Sequence, residues 1–508
     1  LRTGRLEAHE KLRAQVPAGV VEMLQVPEVG PKRAALFWKQ LGITSIAALE
    51  EAARAGRLAA LPGMGAKSER KVLAGIEALK RRSGRLPLGV AWPLARAILG
   101  ALADVPGVVQ AAPAGSLRRM RETVGDIDLL VALKGDTDQA ADALMARFRG
   151  LPQVAEVLLS GPTKTSVRTH EGVQVDLRVL EPARWGTALQ YFTGSQAHNI
   201  RLRGLALERG YSLSEYALKR TADESELLCA TEEEVYAALG LPLIAPELRE
   251  DRGEIEAALA GRLPALVEPE DLQGDLHVHS TWSDGHDGLL EMARAAQALG
   301  LRYLLVADHS QGLGIANGLS VERLRAQRAE IERLNRQLGG DFRLLAGSEV
   351  EIRADGSLDY PDEVLAELDV VVASLHSGQR QERETVTARM LAAIRNPHVD
   401  IIAHPTGREI EVREAADLDL EAVFRAAAET GTALEVNAHP ERLDLSDGLV
   451  RRAIELGVRL AISSDAHSVA EFDWLPLGVA TARRGWATAA DVINTWPVER
   501  LLAWAQRR

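Results

Sequence analysis

The C-terminal half of the chain repeats one pattern, in which a short apolar run is followed by a stretch long enough for a helix. Seven such runs predict strands: Asp275–His279, Tyr303–Ala307, Arg343–Val350, Val370–Ser374, Val399–Ala403, Thr432–Val436 and Val458–Ser463. Strands that alternate with helices are typical of parallel α/β sheets. Seven units favour a closed or nearly closed barrel, and a doubly wound open sheet is the alternative.

The N-terminal half has a different pattern. Residues 1–86 predict short helices and contain an internal repeat, in which Val26–Lys32 is echoed by Leu61–Lys67. Residues 87–183 predict an α+β unit, because helical segments alternate with apolar strand-like runs. A mixed region follows, and then a Pro- and Glu-bearing stretch predicts a linker with one short helix. We therefore predict a multi-domain α+β and α/β protein with units at 1–86, 87–183, 184–243 and 273–508 and a linker at 244–272.

Length and charge agree with several domains. A chain of 508 residues is too long to fold around a single hydrophobic core. Residues 1–90 carry 16 Lys and Arg against 8 Asp and Glu, whereas the whole chain has a net charge of −12. A basic N-terminal segment suits a phosphate backbone and an acidic remainder suits divalent cations, although a solvated surface would give the same asymmetry.

Composition excludes some classes of protein and of metal site. The single cysteine, Cys229, excludes an intrachain disulfide framework and a thiolate metal cluster, so metal sites must use His, Asp and Glu. No apolar run approaches membrane-spanning length, and no export signal opens the chain. We expect a cytoplasmic protein without a membrane partner, associated with the nucleoid when bound to DNA.

Imidazole and carboxylate side chains recur where the predicted barrel strands end. They are His277, His279, Asp284, His309, Glu349, His376, His404, Asp465 and His467. Barrels of this class assemble active sites at this face, so the nine side chains are expected to converge. Such ligands suit Zn²⁺, Mn²⁺ or Fe²⁺, and up to three ions with Glu349 or Asp465 bridging would activate a water to attack a phosphodiester.

The same residues carry a resemblance to a known family. His277-x-His279, Asp308-His309, Glu349, Ser374-Leu375-His376, His404-Pro405 and Asp465-Ala466-His467 resemble the polymerase-and-histidinol-phosphatase (PHP) family over residues 273–508. The resemblance implies a distorted (β/α)7 barrel, a trinuclear metal site and phosphoesterase chemistry. Some domains of this family bind metal and only scaffold their neighbours, so that alternative stays open.

Three acidic residues in the middle unit predict a second metal site. Alternation along the run Ile127–Ala132 and the residues before it puts Asp126 and Asp128 on one face of a strand, about 7 Å apart. Asp176, in the run Val173–Val179, would complete a site for two Mg²⁺ or Mn²⁺ ions. Upstream, the turn from Gly115 through Ser116 to Arg119 offers N–H, hydroxyl and guanidinium groups to a triphosphate.

The motifs around these carboxylates resemble the nucleotidyltransferase superfamily and, within it, the palm and thumb of family X DNA polymerases. The thumb resemblance rests on Tyr191-Phe192-Thr193-Gly194-Ser195, Asn199, Arg203 and Gly210–Tyr216. It implies that Asp126 and Asp128 hold both metals and that Asp176 acts on the primer 3′-hydroxyl. It also implies nucleotide contacts from Gly115, Ser116, Arg119, Tyr191, Phe192, Gly194 and Asn199, and a template contact from Arg203.

The two copies of the N-terminal repeat predict helix-hairpin-helix motifs. Gly30 and Lys32 in the first copy, and Gly63, Gly65 and Lys67 in the second, would meet DNA phosphates without reading bases. An ordinary helix–turn–helix connection also needs Gly and Pro. The first copy has Glu28 where a glycine is usual, which makes the second copy the stronger prediction.

Together these resemblances predict a monomeric, template-directed polymerase that fills short gaps in damaged DNA and is coupled to a 3′-5′ exonuclease. Its substrates would be gapped or primed double-stranded DNA and dNTPs, and the barrel could also process blocked 3′-ends or abasic sites. Relatives usually begin with a lyase domain, and the chain is expected to start at that domain's last helix. The alternatives are a DNA-binding scaffold with one idle centre and a phosphatase of small phosphomonoesters.

Overall fold

The computed structural model describes residues 16–26, 29–82, 85–134 and 137–506. They form two compact units. The first runs up to Arg85 and includes Glu409–Glu414, and the second comprises Leu86–Arg408 and Ala415–Arg508. Among the described residues, no helix combines the length and hydropathy that a bilayer crossing requires.

The first unit is helical, as predicted. Its helices are Ala18–Glu22, the 3-10 turn Met23–Gln25, Pro31–Leu41, Ile46–Arg54 and Ala66–Arg82. They bury a small apolar core to which Phe37, Leu49 and Ile76 contribute fully buried side chains. Residues 1–15 and Glu28 lie outside the described residues, so the expected terminal helix and the altered glycine position remain predictions.

The second unit begins with a five-stranded sheet. Strands β1 to β7 are Leu86–Pro87, Val108–Pro113, Thr123–Val124, Asp126–Leu133, Val154–Ser160, Lys164–Thr169 and Gln174–Leu180. The sheet order is β2-β4-β7-β6-β5, and β1 pairs with β3 separately. The central strands β4 and β7 are parallel, and the other neighbours are antiparallel. Helices Leu88–Ala103, Gly115–Arg118 and Thr137–Arg149 accompany this sheet.

A smaller subdomain follows the sheet. Its helices are Trp185–Thr193, Gln196–Glu208, Glu232–Ala238 and Glu254–Leu259, with 3-10 turns Pro182–Arg184, Pro246–Leu248 and Pro269–Asp271, and its strands β8 to β10 are Tyr211–Leu213, Leu218–Arg220 and Glu226–Leu227. The stretch predicted as a linker contributes Leu248 and Ile255 to a buried cluster with Leu202 and Tyr236. Much of 244–272 is therefore packed against this subdomain.

The C-terminal part is a seven-stranded parallel sheet, which confirms the predicted α/β architecture. Strands β11 to β17 are Gly274–Val278, Tyr303–Val306, Arg343–Glu351, Val370–Ser374, Ile401–Ile402, Ala433–Asn437 and Leu460–Ser463, hydrogen-bonded in chain order. A parallel bridge between Val278 and Ala466 joins the first strand to the end of the last. The barrel is thus nearly closed, and its closure lies at the carboxyl ends of the strands.

Helices surround the barrel: Leu289–Ala298, Val321–Leu338, Asp362–Leu365, Arg383–Arg395, Leu420–Thr430, Asp447–Glu455, Leu475–Arg484 and Val498–Ala505. The 3-10 turns are Gly314–Ala316, Val469–Trp474, Ala489–Asp491 and Ile493–Thr495. One apolar core lies between helices and strands. A second includes Leu276, Leu345 and Ile401 from the strands and Trp496 and Leu501 from the C-terminal segment. These two cores cover both faces of the barrel strands.

Candidate active sites

The three carboxylates predicted for the unit at 87–183, the palm, lie on the two parallel central strands of its five-stranded sheet. Asp128 on β4 is paired in register with Asp176 on β7, and Asp126 is paired with Gln174. Asp126 is exposed, whereas Asp176 is buried. Lys164 Nζ lies 2.6 Å from Asp176 Oδ2, and Gln174 Nε2 donates a 2.9 Å hydrogen bond to Asp176 Oδ1. The strand register thus brings all three carboxylates to one end of the sheet.

The charges of this cluster suit divalent cations. Burial, together with the neighbouring Asp126 and Asp176, raises the pKa of Asp128 to about 6. Burial also acts to raise the pKa of Asp176, but hydrogen bonds from Lys164, Ser166 and Gln174 outweigh it and lower that pKa. Carboxylates that repel one another in this way are stabilised by a shared cation. The donor set of oxygen atoms fits Mg²⁺ or Mn²⁺.

The turn that precedes β4 carries the residues predicted to contact a triphosphate. Gly115 begins the short helix with φ +59°, and Ser116 follows it half-buried. Arg118 donates to Thr193 Oγ1 at 2.7 Å and forms an ion pair with Glu232 at 2.6 Å. Arg119 instead contacts Glu250 and the Thr193 carbonyl. The two adjacent arginines therefore have different surroundings.

The thumb residues predicted to contact the nucleotide cluster at the junction of two helices. The rings of Tyr191 and Phe192 meet edge to face with centroids 5.3 Å apart. Asn199 Nδ2 donates to the Tyr191 carbonyl at 2.8 Å, so the amide is tied to the backbone beside those rings. Gly194, with φ +69°, ends the first helix, and Arg203 is exposed on the second. Because Arg119 donates to the Thr193 carbonyl, these residues lie beside the turn that begins at Gly115.

All nine predicted barrel ligands meet at the carboxyl ends of the strands. Potential ligand atoms lie within 4.8 Å of one another in three groups: His279, Asp284, His309 and His467; His277, His279 and Asp465; and His309, Glu349 and His376. The ninth, His404, has its Nε2 atom 2.9 Å from Glu349 Oε1. Because members are shared between groups, the arrangement fits a cluster of ions rather than isolated sites.

Glu349 lies between several imidazoles. Its Oε1 atom is 3.2 Å from His376 Nε2, and its Oε2 atom is 2.9 Å from His309 Nδ1 and 3.4 Å from His277 Nε2. Each carboxylate oxygen thus faces a different part of the cluster, which is the geometry of a bridging ligand. Asp465 is less central, with its Oδ1 atom 3.2 Å from His279 Nε2.

The carboxylates and imidazoles of this buried cluster shift the pKa values of one another. Burial opposes protonation of His309 and His376, but neighbouring carboxylates, chiefly Glu349, more than compensate and raise their pKa values to about 10 and about 9. Burial and the neighbouring imidazoles instead lower the pKa of His279 to about 3. The pKa of Glu349 is held well below its usual value by the surrounding histidines, although burial acts against this. The carboxylates are thus stabilised by nearby positive charge. Bound cations would supply this charge in place of protons on the histidines.

A layer of acidic residues behind the ligands was missed by the sequence analysis. Glu435 lies 2.8 Å from His277 Nδ1 and accepts from the His404 backbone N–H at 2.6 Å. Glu351 lies 2.9 Å from His376 Nδ1. Such partners fix the orientation and basicity of imidazole ligands. The available signal was an acidic residue inside an otherwise apolar strand, as in Leu434-Glu435-Val436.

Asp308 plays a comparable part for the loop that carries Asp284. It accepts hydrogen bonds from the Ser280 N–H at 2.8 Å, the Ser280 hydroxyl at 2.6 Å and the Ser283 N–H at 3.2 Å. Gln327 and the Ser283 hydroxyl also donate to it. Asp308 is therefore saturated by protein donors, and it orders the loop instead of facing the cluster.

Two of the predicted ligands have an unusual backbone conformation. His404 has φ +28° and Asp465 has φ +57°, both in the left-handed region that side chains with a Cβ rarely adopt. Each lies two residues after the end of a barrel strand and is buried. Local strain of this kind persists only where the surrounding fold enforces it, and it is common at functional sites.

The two hairpins of the first unit repeat the same backbone hydrogen bonds. Val29 N–H donates to the Val26 carbonyl at 3.0 Å, and Met64 N–H donates to the Leu61 carbonyl at 3.0 Å. A Cβ added at Gly30, Gly63 or Gly65 would meet no atom within 4 Å, although Gly63 needs its positive φ of +72°. Lys32 and Lys67 are exposed. Open glycine backbones at helix starts leave room for an approaching phosphate.

Two family models and several known proteins match parts or nearly all of this chain. The "SAM-like Helix-hairpin-helix tandem" family matches residues 20–78, and the "DNA polymerase beta thumb" family matches residues 188–250. The chain is 40% identical over 506 residues to the "DNA polymerase/3'-5' exonuclease PolX" of Bacillus subtilis (strain 168), covering 99% of this chain and 87% of that protein. The chain belongs to the PolX family of family X DNA polymerases.

Two other similarities concern parts of this PolX family member. A probable phosphatase of Thermoanaerobacter sp. (strain X514) is 34% identical over 206 residues, covering 38% of this chain and 78% of that protein. The crystal structure of Leishmania infantum polymerase beta in a ternary complex has a TM-score of 0.30 and 20% identity, covering 46% of this chain and 98% of that one. The family membership confirms the polymerase and exonuclease class that the sequence predicts, and family X enzymes generally use divalent metals.

Proposed function

We propose that this PolX family member fills short gaps in DNA during repair and couples this synthesis to a 3′-5′ exonuclease in its barrel. The observation that carries the proposal is the presence of two separate groups of cation-holding side chains, the Asp126, Asp128 and Asp176 trio and the nine-residue barrel cluster. The 3′-hydroxyl is the substrate of one reaction and the product of the other. A monomer carrying both groups would suffice.

In the palm, two Mg²⁺ or Mn²⁺ ions would neutralise the triphosphate and lower the pKa of the primer 3′-hydroxyl. Asp126 and Asp128 would hold both ions, and Asp176 would face the hydroxyl that attacks the α-phosphate. Ser116 and Arg119 would bind the leaving pyrophosphate through a hydroxyl and a guanidinium group.

The thumb surface would select the nucleotide. Tyr191 and Phe192 would pack against the sugar and disfavour a 2′-hydroxyl, and Asn199 would reach the base edge. Gly194 lets the Arg119 side chain pass close to the backbone, because a Cβ at position 194 would lie 3.1 Å from Arg119 Nη1. Arg203 would contact the template strand.

In the barrel, up to three Zn²⁺, Mn²⁺ or Fe²⁺ ions would activate a water and polarise a phosphodiester. The chain's own residues orient the ligands for this chemistry. Glu349 faces predicted ligands of different groups, and Glu435 and Glu351 fix the tautomers of the imidazoles beside them. A DNA 3′-end is the substrate class that fits a polymerase partner, and a blocked 3′-group or an abasic site would present the same phosphodiester.

The hairpins would hold the duplex without reading its sequence. Gly30 and Gly65 offer open backbone directly before helices, and Gly63 does so in the second hairpin turn. Lys32 and Lys67 add positive charge. This accounts for the basic N-terminal segment in an otherwise acidic chain.

Reciprocal variants test the proposal on one primed DNA substrate. Asp176→Ala should abolish nucleotide addition and retain 3′-end degradation, whereas His404→Ala should retain nucleotide addition and abolish degradation. Exposed Asp142→Ala should retain both. If Asp176→Ala still extends the primer, the trio is misassigned, and if His404→Ala still degrades it, the barrel is not the nuclease.

A second candidate for the barrel is hydrolysis of small phosphomonoesters, which the 34% identity to a probable phosphatase favours. Activity on 3′-recessed DNA and on a free sugar phosphate should be compared with the same protein. A higher kcat/KM on the sugar phosphate would favour this second candidate, and loss of both activities in His404→Ala would assign them to one centre. A barrel inactive on both substrates would be a scaffold.

A further inference from the structure

One carboxylate oxygen joins the nucleotide turn of the palm to the barrel. Arg119 Nε donates to Glu250 Oε1 at 3.1 Å, and Arg484 Nη1 donates to the same oxygen at 3.1 Å. Arg484 is the last residue of the barrel helix Leu475–Arg484 and is 3% exposed. A barrel side chain thus shares its acceptor with the arginine predicted to bind the triphosphate.

Arg484 contacts the nucleotide turn a second time. Its Nη1 atom donates to the Arg119 carbonyl at 2.6 Å, so it binds both the backbone of Arg119 and the carboxylate beside the Arg119 side chain. Its Nη2 atom donates to Asp447 Oδ2 at 2.7 Å, and Arg252 pairs with that oxygen at 3.1 Å. Arg484 is therefore held from both sides in one orientation.

The preceding arginine on the same helix has an unrelated set of contacts. Arg483 Nε donates to Glu247 at 2.8 Å, and its Nη1 atom lies 2.6 Å from Glu268 and donates to the Val267 carbonyl at 3.0 Å. Arg483 therefore attaches the helix to the segment between thumb and barrel. It offers a matched control of equal charge and size one residue away.

We infer that Arg484 is a positioning residue of the polymerase, by which the barrel sets the affinity of the palm for the incoming nucleotide. Arg484 neutralises Glu250 and so leaves the positive charge of Arg119 available to a triphosphate. Its bond to the Arg119 carbonyl also fixes the turn that begins at Gly115. Without Arg484, Glu250 would compete with the triphosphate for Arg119. The inference rests on the triphosphate role proposed above for Arg119.

Single-nucleotide incorporation on primed DNA tests this inference with the full chain. Arg484→Gln should raise the KM for the dNTP about five- to tenfold and change kcat less than about twofold, since charge-assisted contacts around a binding group are lost while the metal ligands are untouched. Arg484→Lys should recover part of the affinity. Arg483→Gln should keep the parental KM, and all three should hydrolyse bis(p-nitrophenyl) phosphate in the barrel at the parental rate.

Binding of a non-hydrolysable dNTP, measured by calorimetry, provides a readout that is independent of turnover. Arg484→Gln should weaken this binding, and Arg483→Gln should not. Equal effects of the two variants on KM and on the unfolding temperature would overturn the inference, because they would show only that the helix was loosened. An unchanged KM in Arg119→Gln would instead overturn the proposed triphosphate role.

Discussion

Gly115 lies directly against the Asp128 carboxylate. A Cβ at position 115 would come 2.5 Å from Asp128 Oδ2, and the φ of +59° is itself unfavourable for a residue with a Cβ. The Ala114 N–H donates to the Asp128 carbonyl at 2.8 Å, so the turn and the strand cannot separate easily. The turn that we propose to bind the triphosphate and the proposed metal ligand Asp128 therefore support each other directly.

Gly115→Ala should consequently reduce polymerase activity more than it reduces the stability of the fold. The left-handed conformation costs about 1–2 kcal/mol for alanine, and displacement of Asp128 by about 1 Å should lower kcat/KM about 100-fold. Primer extension measures the loss, while degradation by the barrel should remain. Gly448→Ala, where an added Cβ meets no atom within 4 Å, is the control. Retained extension would show that Asp128 tolerates the shift.

Asp128→Asn should stabilise the metal-free protein at high pH. Because burial and two neighbouring carboxylates raise the Asp128 pKa to about 6, folding favours its protonated form. That contribution is present at low pH and is lost as the pH rises from the unfolded pKa of about 4 through about 6. The variant should gain about 1–3 kcal/mol at pH 8 and about a third of that at pH 4.5, where the unfolded Asp128 is already largely ionised.

Thermal unfolding in EDTA at the two pH values measures this difference. Mg²⁺ should raise the unfolding temperature of the parent more than that of Asp128→Asn, since a cation relieves the same repulsion. Asp142→Asn, at an exposed position of the neighbouring helix, should behave like the parent. The interpretation fails if Asp128→Asn is less stable than the parent at pH 8.

Asp308→Asn should weaken metal binding in the barrel without touching a ligand. An amide cannot accept all the hydrogen bonds that Ser280, Ser283 and Gln327 donate, so the loop carrying Asp284 should lose its order. Loss of such outer contacts typically lowers metal affinity about 10–100-fold. Chelator competition measures the affinity, and exposed Asp341→Asn is the control. Parental affinity would show that the loop is ordered by other contacts.

Lys67→Gln should reduce the salt dependence of DNA binding. If Lys67 contacts one phosphate, the slope of log K against log salt should fall by about 1, and affinity should fall equally on unrelated sequences. Lys39→Gln, also exposed but at the end of its helix, should leave the slope unchanged.

Gly65→Val should weaken DNA binding with little effect on folding, because the added side chain would point into open space. Unchanged slopes would place the duplex elsewhere.

The sequence predicts the barrel well because its strands are short apolar runs. The predicted run Val370–Ser374 coincides with β14, and Arg343–Val350 is one residue shorter than β13. The run Val399–Ala403 is longer than β15, which contains only Ile401 and Ile402, because only these two residues pair with both neighbouring strands. Apolar patterning reports burial, whereas a strand assignment requires partners.

The convergence of the nine predicted side chains could be inferred because they lie at or near the carboxyl ends of strands, but their hydrogen-bond partners could not be inferred. An acidic residue inside the apolar strand β16 marks Glu435 as unusual, but local sequence does not show that its partner is His277 across the barrel. Likewise, Arg118 and Arg119 look equivalent in sequence. Only the folded chain shows that Arg118 pairs with Glu232 and Arg119 with Glu250, more than a hundred positions away. Long-range polar pairing leaves no local periodicity.

The near-closure of the barrel has a consequence for its folding. Ser464 donates to Asp275, 189 positions earlier, and the His279 N–H donates to the Ala466 carbonyl at 2.8 Å across the same junction. A cation shared by His279 and Asp465 would span this junction as a cross-link between two distant chain segments. Cross-links that close long loops restrict the unfolded chain most. Bound metal would therefore stabilise the folded domain as well as take part in catalysis.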